Sequence, residues 1–287
     1  TGDIIKKYSE TDSRIKYYKQ KNCGAGFARN RGMTYADGKY IMFLDADDFF
    51  HPHLLSDLVE LSESGNLDIS ICDANIYDMR FNAYYECWNA LMEEYIPDKT
   101  VFSCDDAGEG AFMISGSFPW NKMYLRSFIN KNHINFQEIN SINDLYFVFM
   151  TFVKANRVSI CKSKLVYYRM GSQEGLTINN DKEPDNIYKA YKKLKDSLVY
   201  EGLYEKYYKA LCRMFTWDLF TALHRMRSFD KFDYLYNRIK NVYLPEFDIT
   251  NKGREYYLDD YMYSRYLEIV NCSSGEISDF IGSNDFL

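Results

Sequence analysis

Apolar residues follow two regimes along this chain. Up to about residue 170, short apolar runs of strand length alternate with stretches of helical spacing; from Pro184 onward only helical spacing remains. In the first regime Ile4, Ile5 and Tyr8 share one side of a helix over residues 3–8, and Arg14–Tyr18 reads as a short strand. Gly24 and Gly26 allow a tight turn. Behind them Ala25, Ala28, Gly32 and Ala36 give a small-residue helix face suited to close packing on a sheet, and Gly38 ends that helix. Tyr40–Leu44 is an apolar run that stops abruptly at three acids, Asp45, Asp47 and Asp48. After Pro52 the spacing of Leu54, Leu55, Leu58, Val59 and Leu61 predicts a helix that stops near Gly65.

Leu67–Ile71 alternates as a strand. Residues 79–110 predict an irregular insertion with a hairpin or short helix, Ala111–Ser115 a further strand, and residues 118–129 a turn leading into a helix. Asp144 opens an amphipathic helix with Leu145, Val148, Phe149, Phe152 and Val153 at helical spacing. Arg157–Tyr168 reads as strands, followed by the polar loop G-S-Q-E-G-L-T. In the second regime helices are predicted over 186–200, from 204 to about 226, and over 229–243. Pro245 breaks the series, a final helix spans 254–270, and residues 275–287 form a frayed tail. The pattern predicts an α/β mixed sheet flanked by helices over residues 1–180, followed by a helical C-terminal region over 181–287.

Composition narrows this picture. The chain has 287 residues, of which 46% are hydrophobic, enough for a real core. A net charge of −6 argues against nucleic acid as a partner. The seven cysteines are scattered without a C-x-x-C, which excludes a zinc ribbon or disulfide framework and favours a reduced, cytoplasmic setting. No apolar run approaches the ~18–20 residues of a membrane span. The 27 Tyr and 20 Phe suit amphipathic packing, and the Tyr- and Lys-rich C-terminal helices suit peripheral contact with the inner face of a membrane or self-association into a homo-oligomer. The first residues read as the middle of a helix, so the N-terminus is expected to be cut.

A strand, an acidic tip and a helix in succession place carboxylates at the carboxyl edge of a sheet, where α/β proteins bind ligands. Carboxylates crowded there repel one another and make sense chiefly as ligands of a hard cation; capping of the next helix is the plainer use of such a residue. The G-A-G at residues 24–26 lacks the third glycine of a dinucleotide fingerprint. His51 and His53 flank Pro52 with no third or fourth ligand spaced to complete a zinc site, and read as bystanders.

Three ordered segments carry a family resemblance. The first is N-C-G-A-G-F-A-R-N-R-G-M-T-Y-A-D-G-K-Y-I-M-F-L-D-A-D-D-F-F-H-P-H-L-L, residues 22–55; the second is P-W-N-K-M-Y, 119–124; the third is N-D-L-Y-F, 143–147, with the strand ending Y-Y-R at Arg169. Over about residues 1–178 the chain resembles the family-2 glycosyltransferases, inverting enzymes of the GT-A fold, in particular the bacterial polysaccharide and capsule types. Two departures stand out. The strand with P-x-Y-N and the acid-ended second strand that open such enzymes are lacking, and Asn143-Asp144 stands where the family usually has Glu-Asp.

The resemblance implies transfer of a sugar from a nucleotide-diphosphate sugar donor to a glycan or lipid-linked acceptor in surface polysaccharide biosynthesis, with Mg²⁺ or Mn²⁺ as cofactor. Asp47 is then the metal ligand, and Asp45 faces the ribose or shares the metal shell. Asp48 orients the loop or caps the next helix. Arg29 matches the arginine that contacts the nucleotide, with a surface salt bridge as its plainer role, and Asn30 ties loop backbone. Asp144 is the catalytic base; the helix dipole lowers its pKa unless burial opposes it. Trp120 offers either a stacking face to a sugar or a core anchor, Asn121 and Lys122 stand on the acceptor or phosphate side, and Arg169 meets the diphosphate beside a loop that acts as a lid. The alternative, favoured by the lacking strands, is a catalytically inactive glycosyltransferase-like binding or interaction domain. A nucleotidyltransferase explains Asp45 and Asp47 but neither P-W-N-K nor Asp144.

Overall fold

The structure is a computed structural model that describes residues 2–171 and 183–277. Most of the expected lid loop after Gly171 and the end of the tail lie outside the described residues. The opening helix is present as α1 (Gly2–Ser9). Arg14–Tyr18 forms no strand: Lys16 pairs with Asp37 at 2.6 Å and the Tyr18 ring stacks on Tyr35 at 3.9 Å, so the segment lies along helix α2 (Ala25–Tyr35) rather than beside a strand. Helix α2 begins at Gly24, whose φ of +89° favours glycine, and stops at Ala36, two residues before Gly38.

A mixed sheet in the order β1-β5-β3-β6-β2 forms the body of the first region. Strand β1 (Tyr40–Met42) pairs antiparallel with β5 (Lys122–Leu125), which pairs antiparallel with β3 (Ile69–Asp78). Strand β3 runs parallel to β6 (Val158–Met170), and β6 pairs antiparallel with β2 (Phe49–Phe50). The insertion after β3 supplies a hairpin partner, β4 (Ala83–Glu86), and the short helix α4 (Cys104–Ala107). What reads as two strands over Arg157–Tyr168 is one strand, with its register to β3 shifted on either side of Asp73.

Several expected elements change identity. Ala111–Ser115 is a buried turn, closed by Met113 N–H on the Gly110 carbonyl at 2.8 Å and joined to Met92 through Ile114, so its apolar run fills the core without a ladder. The segment 118–129 contains β5 before its helix α5 (Arg126–Asn132). Helix α3 (Leu54–Gly65) buries Leu54, Leu58 and Ser62, whereas Leu55 and Val59 face solvent. Helix α6 (Leu145–Lys154) is buried nearly all round rather than on one face, because α7 (Asn186–Tyr200) covers the side away from the sheet.

The C-terminal region continues with α8 (Tyr204–His224) and α9 (Phe229–Arg238). Pro245 does not break the series. It sits in the first turn of α10 (Leu244–Glu246), where its missing N–H is harmless, after a wider turn over Ile239–Tyr243. The last long helix is α11 (Asp260–Asn271), which begins six residues later than its spacing suggests; Asp259 Oδ1 caps it by accepting from Met262 N–H at 2.7 Å. One hydrophobic cluster joins both regions, running from Ile41, Phe43 and Phe147 beside the sheet to Leu194, Phe215 and Ile269 in the helices. Among the described residues no helix is long and apolar enough to cross a membrane.

Candidate active site

Strand β1 delivers the acidic tip. Phe43 is buried against Phe136 and Phe147, which anchors the chain just before Asp45. Asp45 is half-buried and Asp47 exposed. The Arg29 guanidinium, on the inner side of α2, donates to Asp45 Oδ1 and to Asn143 Oδ1, both at 2.9 Å, and lies 5.4 Å from the Phe136 ring centre. Arg29 thus joins three separate segments. With 16% of its side chain exposed, this is no surface salt bridge, and desolvation strengthens its hold.

Asp48 does not cap the next helix, whose N-cap position belongs to His53. Its Oδ1 accepts from the Arg169 backbone N–H at 2.9 Å, fastening the tip to the end of β6. Its Oδ2 is buried without a hydrogen bond. Burial pushes this carboxyl up to about 7, the Arg169 N–H opposes the rise, and the charges of Asp45 and Asp47 add to it. The Arg169 guanidinium lies 5.4 Å from the Phe49 ring centre, beside the same tip.

Asp144 stands across from Asp45 at the N-cap of α6, without a side-chain capping bond. Burial raises its carboxyl above the ordinary range and Asp45 adds to the rise, while Arg29, its own backbone N–H and Lys122 hold it back. Burial therefore outweighs the helix dipole. The loop before Asp144 is braced twice. Asn30 accepts from Phe136 N–H at 2.8 Å and donates to its carbonyl at 2.9 Å, and Asn186 of α7 donates to Ser141 Oγ at 3.1 Å. Gly26 lets α2 approach closely: a Cβ there would lie 1.9 Å from the Gln137 carbonyl oxygen.

Trp120, Asn121 and Lys122 lie behind the site instead of facing an acceptor. Both faces of the Trp120 indole are covered, by Phe118 at 4.0 Å and Tyr168 at 5.8 Å, which leaves the core-anchor role. Asn121 is fully buried and donates to the carbonyls of Cys72 (2.8 Å) and Ala90 (3.2 Å). Lys122 Nζ donates to Ser115 Oγ, Gly116 O, Phe118 O and Asn121 Oδ1 at 2.8–2.9 Å. Burial pushes its ammonium down to about 7, and four surrounding oxygens favour the charged form. These three residues are buried and shape loop 115–118.

The acidic tip fits a divalent cation whose shell is completed by substrate. Asp47 presents an exposed carboxylate, Asp48 a buried carboxyl oxygen without a hydrogen bond, and Asp45 is already balanced by Arg29. Among the described residues no group of three or more His, Cys, Asp or Glu could hold a metal alone. A hard cation bound through one or two carboxylates plus phosphate oxygens needs no such group.

The model of Glycosyl transferase family 2 matches residues 1–136. That stretch belongs to glycosyltransferase family 2. The family-2 segment contributes Arg29 and the three acids, while Asn143, Asp144 and Arg169 lie beyond it. The chain's mixed sheet flanked by helices is the GT-A arrangement that the resemblance implies. EpsH of Bacillus subtilis is 29% identical over 179 residues, 58% of this chain and 48% of EpsH. The cholesterol galactosyltransferase of Borreliella burgdorferi is 29% identical over 178 residues, 59% of this chain and 49% of that protein. The chain spans about half the length of these relatives. Among solved structures, Staphylococcus aureus TarS 1-349 in complex with UDP superposes with a TM-score of 0.49 at 15% identity, covering 89% of this chain and 63% of that one.

Sequence reasoning missed three features. Asn143 read as a lost acid but is the second acceptor of Arg29. Asp48 read as orienting the loop or capping the next helix, and the partner through which it orients the loop, the Arg169 N–H 121 positions away, went unseen. Asn186 carried no signal beyond opening a helix.

Proposed function

We propose that this protein transfers a sugar, with inversion, from a nucleoside-diphosphate sugar to an acceptor hydroxyl of a growing surface polysaccharide, using Mg²⁺ or Mn²⁺. The observation that carries this reading is the meeting of Asp47, Asp48, Arg29-bound Asp45 and Arg169 at one sheet edge with Asp144 at the start of the facing helix. Residues 1–180 serve as the transferase domain and 181–287 as its helical buttress.

Asp47 holds the cation, with the Asp48 oxygen behind it. A divalent cation held there would supply neutralisation of the negative charge on the diphosphate. Asp45, oriented by Arg29, faces the ribose, and Arg169 faces the diphosphate. Asp144 takes the proton from the acceptor hydroxyl as its oxygen bonds to the anomeric carbon and the bond to diphosphate breaks. A carboxyl raised by burial is the stronger base, and Asn143 in place of a second acid removes one repulsive charge beside it.

Calorimetry with UDP and GDP, each with Mn²⁺, tests the donor half: one nucleotide binds, and Asp47→Ala weakens it at least about tenfold. Asp144→Asn leaves that binding intact and lowers donor turnover by about 10²–10⁴. Binding indifferent to Asp47, or wild-type turnover in Asp144→Asn, overturns the assignment.

A further inference from the structure

Helix α8 carries Trp217 and Asp218 to the seam between the sheet region and the helical region. There they face Trp88, Asn89, Ser117 and Phe118 across a cleft of about 90 Å³. That is several times the roughly 10–15 Å³ that a single water needs. The two indoles meet edge to face at 5.5 Å with an angle of 67° between planes, so they form a corner. Trp88 is 56% exposed, so its ring face is open to a ligand. Asp218 contributes a carboxylate whose Oδ2 accepts from the hydroxyl of fully buried Tyr191 at 2.6 Å, which fixes its orientation.

The cleft shares loop 115–118 with the residues packed behind the candidate site. Its wall includes Gly116 and Phe118, whose carbonyls are the ones Lys122 Nζ grips. Burial, with the nearby negative charge of Asp144 adding to it, pushes Asp218 up to about 6. The Asp144 charge bears on Lys122 as well as on Asp218.

An indole corner beside an oriented carboxylate and an amide matches one chemistry, a pyranose ring. Its C–H face stacks on an aromatic surface and its equatorial hydroxyls donate to carboxylate and amide oxygens. We propose that the Trp88–Trp217–Asp218 cleft is a subsite for a hexopyranose ring of the acceptor, seated so that the chain's growing end reaches Asp144. This rests on the glycosyl-transfer reading and adds the part of the molecule that grips the acceptor.

The test uses methyl β-D-glucopyranoside, methyl β-D-galactopyranoside and methyl N-acetyl-β-D-glucosaminide as probes, read by saturation-transfer NMR and by tryptophan fluorescence. At least one glycoside binds the wild-type chain. Trp88→Ala and Trp217→Ala each weaken that binding about tenfold, whereas Trp217→Phe, which keeps an aromatic face, weakens it less. Trp88 is exposed, so its removal leaves folding intact and keeps the test decisive if Trp217→Ala unfolds. Titration with UDP or GDP and Mn²⁺ runs in parallel. Nucleotide binding without glycoside binding, or glycoside binding unchanged in both alanine variants, overturns the subsite alone. Loss of nucleotide binding in the wild-type chain overturns the transfer reading as well.

Discussion

Gly26→Ala gives the sharpest test of how the loop before Asp144 is positioned. In an unconstrained helix this change stabilises by about 1 kcal/mol. Here the new Cβ would sit 1.9 Å from the Gln137 carbonyl oxygen, 3.0 Å from its carbon and 3.2 Å from Asn143 Cβ. Ordinary contact requires a retreat of about 1.5 Å. The loop cannot retreat freely, because Asn30 clasps Phe136 through two hydrogen bonds from the same helix. Overpacking of this kind costs about 1–3 kcal/mol, which exceeds the gain in helix propensity. A fall in Tm of several degrees follows for a chain of this size, at roughly 2–4 °C per kcal/mol.

The larger effect falls on turnover. Asn143 and Asp144 move with the loop, and a displacement on the order of 1 Å costs about 10²-fold in rate. Scanning fluorimetry and a donor-hydrolysis assay measure the two effects. Gly32→Ala is the control, since nothing lies within 4 Å of a Cβ there; it raises Tm and leaves turnover unchanged. If Gly26→Ala behaves like Gly32→Ala, the close approach does not position the base and the argument fails.

Two further predictions concern buried charges. Lys122→Met leaves the Gly116 and Phe118 carbonyls and Asn121 Oδ1 without their donor, and urea unfolding should show a loss of about 3 kcal/mol or more; a loss under about 1 kcal/mol would mean that water or relaxation satisfies those oxygens. Asp218 binds a proton more readily in the fold, at about 6, than at its ordinary 3.8, so its contribution to stability is complete below about pH 4 and is lost as pH rises through about 6. Asp218→Asn, which can still accept from Tyr191, flattens that slope and gains up to about 3 kcal/mol on the wild type at neutral pH. Parallel stability curves for the two proteins between pH 4 and about 7 would refute this.

Much of the fold was legible because local pattern and tertiary placement agree. The run ending at Asp45 is a strand end, and the helix that starts after Asp144 has the period its leucines and phenylalanines announce. Where they disagree, burial against a distant partner decided. Strand β5 was hidden because a lysine opens it, and only the oxygens of loop 115–118 make that lysine tolerable inside. Leu55 and Val59 suggested a wider stripe than α3 buries, since only its Leu54–Leu58–Ser62 face meets the sheet. The site's acids and Arg29 could be named from their motif. The partners that orient them, Asn143 for Arg29 and Arg169 for Asp48, lie more than a hundred positions away and leave no periodic trace.

The hydrophobic cluster that crosses from sheet to helices carries a consequence for how the chain can be handled and how it came to be. Helix α6, which presents Asp144, is lined on one side by the sheet's side chains and on the other by α7, so neither region owns a closed interior. A chain cut near residue 180 would lay bare the flank of α6 that carries the base, and would aggregate or melt rather than survive as a smaller enzyme. The intact chain should unfold in a single calorimetric transition, with van't Hoff and calorimetric enthalpies equal. Swapping C-terminal helices between relatives to change acceptor preference would therefore require exchanging the buried face of α6 along with them.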